Sequence, residues 1–255
     1  QGVGPTAYED TWKDRAEYSD MLRSRLTMMH RLLADSGSIF LHLDWRSSHH
    51  GRLLLDEIFG VENFRNEIVW HYGGRGAKAI AGQFPRNHDT ILFYSKSASS
   101  RFEPLKVEER LSSGEAKARG YQQESDGRWF KTAPRGDYTD ESLARLSREG
   151  RIHRTRTGRI RVKYHLRVAE GLVVNDRLLG DVWSDIPDMM HASAKERTDY
   201  PTQKPERLLQ RIVQVASKPG DLVADFFCGS GTTLVVAHKM GRYWIGCDQS
   251  DAAIK

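Results

Sequence analysis

Between Leu222 and Asp248 the chain carries residues whose types and spacing suit the binding of a nucleotide. They are Asp225, Phe227, Gly229, Ser230, Gly231, Thr232 and, 17 positions beyond Gly231, Asp248. Glycines let a ligand approach the main chain closely, and the helix opened by Thr232-Thr233 leaves the N–H groups of its first turn unpaired. Asp248 ends the second strand, Tyr243-Trp244-Ile245-Gly246-Cys247, where a carboxylate suits the paired hydroxyls of a ribose. The third position of a dinucleotide GxGxxG pattern is Leu234, which counts against a nicotinamide cofactor. No lysine follows the glycines, which excludes a P-loop.

A strand, a turn and a helix must position these groups, and Leu222 to Thr233 reads as that sequence of elements, beginning with a buried strand. The unit starts near residue 221 of 255, so the other strands of a doubly wound sheet must come from earlier in the chain. That is a permuted order. Upstream, Tyr18 to Leu33 has helical apolar spacing, Ser38 to Asp44 reads as a strand, and Arg52 to Phe59 as a second amphipathic helix. Glu67 to Trp70 and Thr90 to Tyr94 are further strands. The connection between them is glycine-rich and basic, with Gly73, Gly74, Arg75, Gly76, Lys78 and Gly82. Thr202-Gln203-Lys204-Pro205 opens a helix over Glu206 to Ala216, with proline near its start.

From about Ser95 to Val182 charge replaces apolar periodicity. Between Arg101 and Glu170 there are 17 Lys or Arg against 11 Asp or Glu, an excess of +6 that exceeds the whole chain's +5. Thr157-Gly158 separates Arg151 to Arg154 from Ile160 to Tyr164 and predicts a short basic hairpin. Arg154, Arg156, Arg159, Arg161 and Lys163 on that hairpin, beside Trp129, Tyr138 and Tyr164, suit contact with a phosphate backbone.

The 255 residues, 38% of them hydrophobic, suffice for one α/β core with an insertion. Net charge +5 agrees with a polyanionic partner. Cys228 and Cys247 form neither a CxxC pair nor a disulfide framework, which places the chain in a reducing compartment. No apolar run is long enough to cross a bilayer. His49-His50 and His88-Asp89 lack the companions of a metal site, and no metal is expected.

Asp225-Phe226-Phe227-Cys228-Gly229-Ser230-Gly231-Thr232-Thr233 resembles the S-adenosylmethionine motif of DNA amino-methyltransferases. Tyr200 to Glu206 resembles the motif that precedes it in the permuted, beta-type group. Gly37 to Asp44, Asn87 to Lys96 and Asp181 to Pro187 resemble further blocks of that family, in the same order. The resemblance implies an α/β, Rossmann-like class I methyltransferase sheet with permuted strand order and a target-recognition insert. The core would be residues 1–96 and 184–255, and the insert 97–183. It also implies that Asp225, Phe227, Gly229, Ser230, Gly231 and Thr232 line the cofactor and that Asp248 holds its ribose. Thr202, Gln203 and Lys204 would lie over the methionine end.

The reaction implied is methyl transfer to an exocyclic amine of double-stranded DNA, adenine N6 first and cytosine N4 second. The partners implied are DNA with a restriction partner or a second copy in a homodimer, in a prokaryotic cytoplasm near the nucleoid. The family's Asp- or Ser-Pro-Pro-aromatic motif is missing, since the chain holds no Pro-Pro pair, so no catalytic residue is assigned. In the permuted order that motif belongs before Gln1, and another helix and strand are expected after Lys255, so the chain reads as a fragment. Two other readings stay open: a cofactor- and DNA-binding module without chemistry, and a nicotinamide-dependent oxidoreductase.

Overall fold

The computed structural model describes residues 15–73, 82, 84–198 and 200–254. In chain order the first elements are α1 (Arg15–Leu32), β1 (Ser38–Leu43), α2 (Ser48–Phe59), β2 (Phe64–His71) and β3 (His88–Ser95). Next come β4 (Lys106–Leu111), α3 (Ser113–Ala118), β5 (Gln122–Gln123), β6 (Trp129–Pro134), α4 (Asp140–Arg148), β7 (Ile152–Arg154), β8 (Ile160–Ala169) and β9 (Leu172–Leu178). The last are β10 (Val182–Trp183), α5 (Glu206–Ala216), β11 (Leu222–Asp225), α6 (Thr232–Lys239), β12 (Tyr243–Gly246) and α7 (Asp251–Ile254). The chain divides into one unit of Gln1–Pro104 with Gly180–Lys255 and another of Leu105–Leu179.

In the first unit, β1, β3, β2 and β10 form one sheet in that order, and β11 and β12 form a parallel pair. β3 is antiparallel to both β1 and β2, with Leu43 opposite Thr90 and His42 opposite Ile91 on the β1 side. Its apolar face closes on α1 and α2 through Leu22, Leu26, Leu54, Leu55, Phe59, Leu92 and Tyr94. The Tyr94 hydroxyl donates to Asp56 at 2.5 Å, and burial, first, and then this bond raise its pKa.

α2 begins a turn earlier than the apolar pattern indicates, because Ser48-His49-His50 is polar and carries no periodicity. The strand Leu222–Asp225, expected to be buried, has Leu222 exposed, as is Tyr243 on β12. Among the described residues these two strands pair only with each other, which leaves their apolar side chains uncovered. Most of the basic glycine loop between β2 and β3, including Gly74, Arg75, Gly76 and Lys78, lies outside the described residues.

α5 is anchored through a buried guanidinium. Arg211, 9% exposed, donates to both oxygens of Asp185 at 2.8 and 2.6 Å and lies 5.0 Å from the Trp183 ring centroid. The Arg211 hydrogen bond is the main cause holding the Asp185 carboxyl below its ordinary range. A carboxyl depressed in the folded state contributes stability above its unfolded pKa and loses it as pH falls through the folded value. Asp185→Asn should therefore lower the melting temperature at neutral pH, and the gap to the parent should close below about pH 4. The cost at pH 7 should be about 1–2 kcal/mol, less than for a fully buried pair because Asp185 is 43% exposed. A gap that stays constant down to pH 3 would contradict this account.

In the second unit the order is β4-β9-β8-β6-β5, with β7 also paired to β8. The predicted basic hairpin is β7 and the start of β8, with Arg154 opposite Ile160. The rest of this sheet escapes the apolar pattern, since strands such as Lys106–Leu111 alternate charged exposed residues with covered ones. Trp129 is buried with Leu111, Ala116 and Val173, and Tyr138 and Tyr164 pack against Leu143, Leu146 and Val162. The expectation that these three aromatics flank the arginines on a DNA surface is corrected here: Trp129 is a core residue, and Tyr138 and Tyr164 are partly buried against the second cluster.

Candidate cofactor site and basic hairpin

The main-chain ladder between β11 and β12 runs on into the glycine turn. Cys247 N–H donates to the Asp225 carbonyl at 2.9 Å, and Cys228 N–H to the Cys247 carbonyl at 3.1 Å. Asp225 then holds the turn from below, accepting from Phe227 N–H at 3.1 Å and from the Thr233 hydroxyl at 2.6 Å. Asp248 holds it from the side, with one oxygen accepting from Gly229 N–H at 2.8 Å and the other from Ser250 N–H at 2.9 Å.

Gly231, at φ 72°, is the N-cap of α6. The Ser230 hydroxyl lies 2.9 Å from that of Thr232, which is buried, while the Phe227 ring is about half exposed. Burial, first, and the charges of Asp225 and Asp248 raise the pKa of the Cys228 thiol.

The upstream motif folds onto this turn. Gly229 has φ 48°, and a Cβ built on it would lie 3.0 Å from the Tyr200 ring. Both the backbone conformation and the neighbour thus demand glycine. Gly229→Ala should destabilise the protein by about 1–2 kcal/mol, read as a fall in melting temperature. An unchanged melting temperature would mean that the turn and the Tyr200 loop are not packed as seen.

Of the three residues expected over the methionine end, Gln203 is spent inside its own loop. Its Oε1 accepts from Thr198 N–H at 2.8 Å and its Nε2 donates to the Glu196 carbonyl at 2.6 Å. Gln203 therefore shapes the loop. The Thr202 carbonyl accepts from Lys204 Nζ at 3.3 Å, which folds that ammonium back along the loop.

The charge of Lys204 disfavours protonation of His42 on β1. His42 Nε2 lies 3.0 Å from Asp89 Oδ2 on β3, and its ring meets Trp70 edge-on with centroids 5.8 Å apart. Burial outweighs Asp89 and lowers the His42 pKa, so the imidazole is neutral at pH 7. The sequence marks His42 as the end of a strand but gives no sign of a partner 47 positions away. Among the described residues no three His, Cys, Asp or Glu side chains gather as a metal cluster.

In the second unit the five basic residues of the hairpin divide into two groups. Arg154, Arg156 and Arg159 are exposed near its tip. Arg161 donates to the Thr132 hydroxyl at 2.8 Å and to its carbonyl at 2.9 Å, and Lys163 lies 3.0 Å from Glu124. The division follows from pairing: β6 lies opposite Arg161 and Lys163 and ends at Pro134, short of the tip, while Thr132 on β6 and Glu124 before it supply the partners.

A family model described as DNA methylase, for N6 and N4 methyltransferases, matches residues 6–255. The type II methyltransferase M.EcaI of Enterobacter cloacae is 34% identical over 272 residues, covering 98% of this chain. The chain spans 58% of that protein's length. Among solved structures, the M1.HpyAVI–SAM complex has a TM-score of 0.52 at 15% identity, covering 95% of this chain and 83% of that one. The cytosine-N4-specific PvuII DNA methyltransferase has a TM-score of 0.54 at 13% identity, covering 94% and 71%. These two likenesses show a shared α/β methyltransferase fold.

Proposed function

This chain belongs to the DNA methylase family of N6 and N4 methyltransferases, and we propose on that footing that it moves a methyl group from S-adenosylmethionine to an exocyclic amine of DNA. One observation carries the reading: the glycine turn, Asp248 and Tyr200 at the head of the upstream loop, separate in sequence, meet around Gly229. The site has the donors and charges such a cofactor requires. Asp248 would hold the ribose hydroxyls, Phe227 would offer its exposed ring to the adenine, and the main chain at Gly229, Ser230 and Gly231 would allow close approach. Lys204 would meet the methionine carboxylate as a point charge. When bound, the cofactor supplies a methyl group activated by its sulfonium.

The residues of the chain then have three tasks. Asp225 and Asp248 fix the turn, Gln203 fixes the loop above it, and neutral His42 with Asp89 adds no positive charge beside Lys204. Residues 97–183 serve as the target-recognition insert, in which Arg154, Arg156 and Arg159 engage the phosphates of double-stranded DNA and Arg161 and Lys163 stiffen the sheet beneath them. We take adenine N6 as the target, following the resemblance in sequence, with a restriction enzyme or a second copy as further partner in a bacterial cytoplasm. No helix among the described residues is long and apolar enough to cross a membrane.

Incubation with methyl-labelled S-adenosylmethionine and unmethylated DNA, followed by hydrolysis and mass spectrometry, tests the proposal. N6-methyladenine is the expected product. N4-methylcytosine would correct the base. Retained binding of cofactor and DNA with no product would identify a binding module.

A further inference from the structure

Immediately beyond β1 lies a cluster that the cofactor site does not use. Trp45 is 50% exposed, and the Arg86 guanidinium lies 3.8 Å from its ring centroid. Arg46, whose guanidinium is 5.6 Å from the same centroid, is turned by Asp44, which accepts from its N–H and pairs with its side chain at 3.0 Å. Phe84, two positions before Arg86, is 94% exposed. The β1–β3 register locates the group: His42 is opposite Ile91 and Leu43 opposite Thr90, so Trp45 and Arg86 leave the same end of this strand pair. It is the carboxyl end of β1, close to His42 and Asp89, and open α/β sheets bind ligands beyond the carboxyl ends of their strands.

We infer that Trp45, braced by Arg86 and Arg46, is a stacking platform for an unstacked DNA base at the mouth of the site, an inference that rests on the DNA reading above. Tryptophan exposed to this extent leaves half of its apolar surface in water, and a guanidinium on the ring adds positive charge where a phosphate chain would pass. An aromatic face with cationic neighbours is how sequence-tolerant single-strand contacts are built, and an amine cannot be methylated within the stack without unstacking neighbouring bases. The contact would differ in kind from that of the hairpin arginines, which would engage phosphates.

Because stacking tolerates any base, the test needs no recognition sequence. Binding of the full chain to a short oligothymidylate is compared with binding to a base-free deoxyribose-phosphate polymer of equal length, with S-adenosylmethionine binding as a check on folding. The parent should prefer the oligothymidylate by about ten-fold. Trp45→Ala should abolish that preference, and Trp45→Phe should retain most of it, while cofactor binding is unchanged in both. Equal binding of the two polymers by the parent would overturn the platform alone, as would a Trp45→Ala variant that keeps the preference or loses both polymers alike. Failure of the parent to bind either polymer while it binds duplex DNA would overturn the platform alone, and failure to bind duplex DNA as well would overturn the DNA reading with it.

Discussion

Asp248→Ala should weaken S-adenosylmethionine binding by about 2–3 kcal/mol, a rise in Kd of roughly 30- to 150-fold. Two losses combine. The carboxylate charge that would face the ribose disappears, and the buried Gly229 N–H loses the acceptor it holds at 2.8 Å. The second loss reaches beyond the ribose, because Gly229 is the point where Tyr200 and the upstream loop rest on the turn. Asp248→Asn separates the two effects. It preserves one acceptor oxygen for the turn while removing the charge, so its affinity should fall between parent and alanine variant. Titration calorimetry on the three proteins reads the series directly. Equal affinity in all three would show that Asp248 neither holds the ribose nor organises the turn for binding.

Replacing Arg154, Arg156 and Arg159 together by alanine should weaken binding to duplex DNA and reduce the slope of log K against log salt by about 2.7, since each phosphate contact contributes about 0.9. The same change at Arg161 and Lys163 should move the slope much less. Their charges are already engaged, Arg161 with Thr132 and Lys163 with Glu124, and their loss should appear mainly in stability. The contrast between the two variants is the informative quantity. If both lower the slope equally, the hairpin tip is not the phosphate surface. If neither does, DNA binds elsewhere.

The strand, turn and helix around Gly229 were legible because local rules determine them: the strand ends at an acid, glycines occupy positions of positive φ, and a helix begins at once. α5 was legible for a similar reason, having an amphipathic face and a proline before it. What the sequence concealed depends on particular side-chain partners. The place of Asp248 beyond the glycine turn was legible, but its bond from Gly229 N–H was not. His42 meets Asp89 across 47 positions, a spacing that belongs to no local motif. Composition also misled. Trp129, Tyr138 and Tyr164 stand among basic residues in sequence, yet Trp129 is a core residue and Tyr164 packs partly buried against a core cluster, because a strand puts neighbouring residues on opposite faces. Tyr138 is partly covered in the connection before α4. Likewise five basic residues close together in sequence proved to be three exposed arginines and two engaged side chains, a distinction made by where β6 ends.

The most direct test of the account is calorimetric titration of the chain with S-adenosylmethionine, with NAD as the control. Micromolar binding of S-adenosylmethionine and none of NAD is the predicted result, and it would establish that the turn, Asp248 and the Tyr200 loop form a site for this cofactor. Preference for NAD, or no binding of either ligand, would contradict the cofactor assignment on which the proposed chemistry rests.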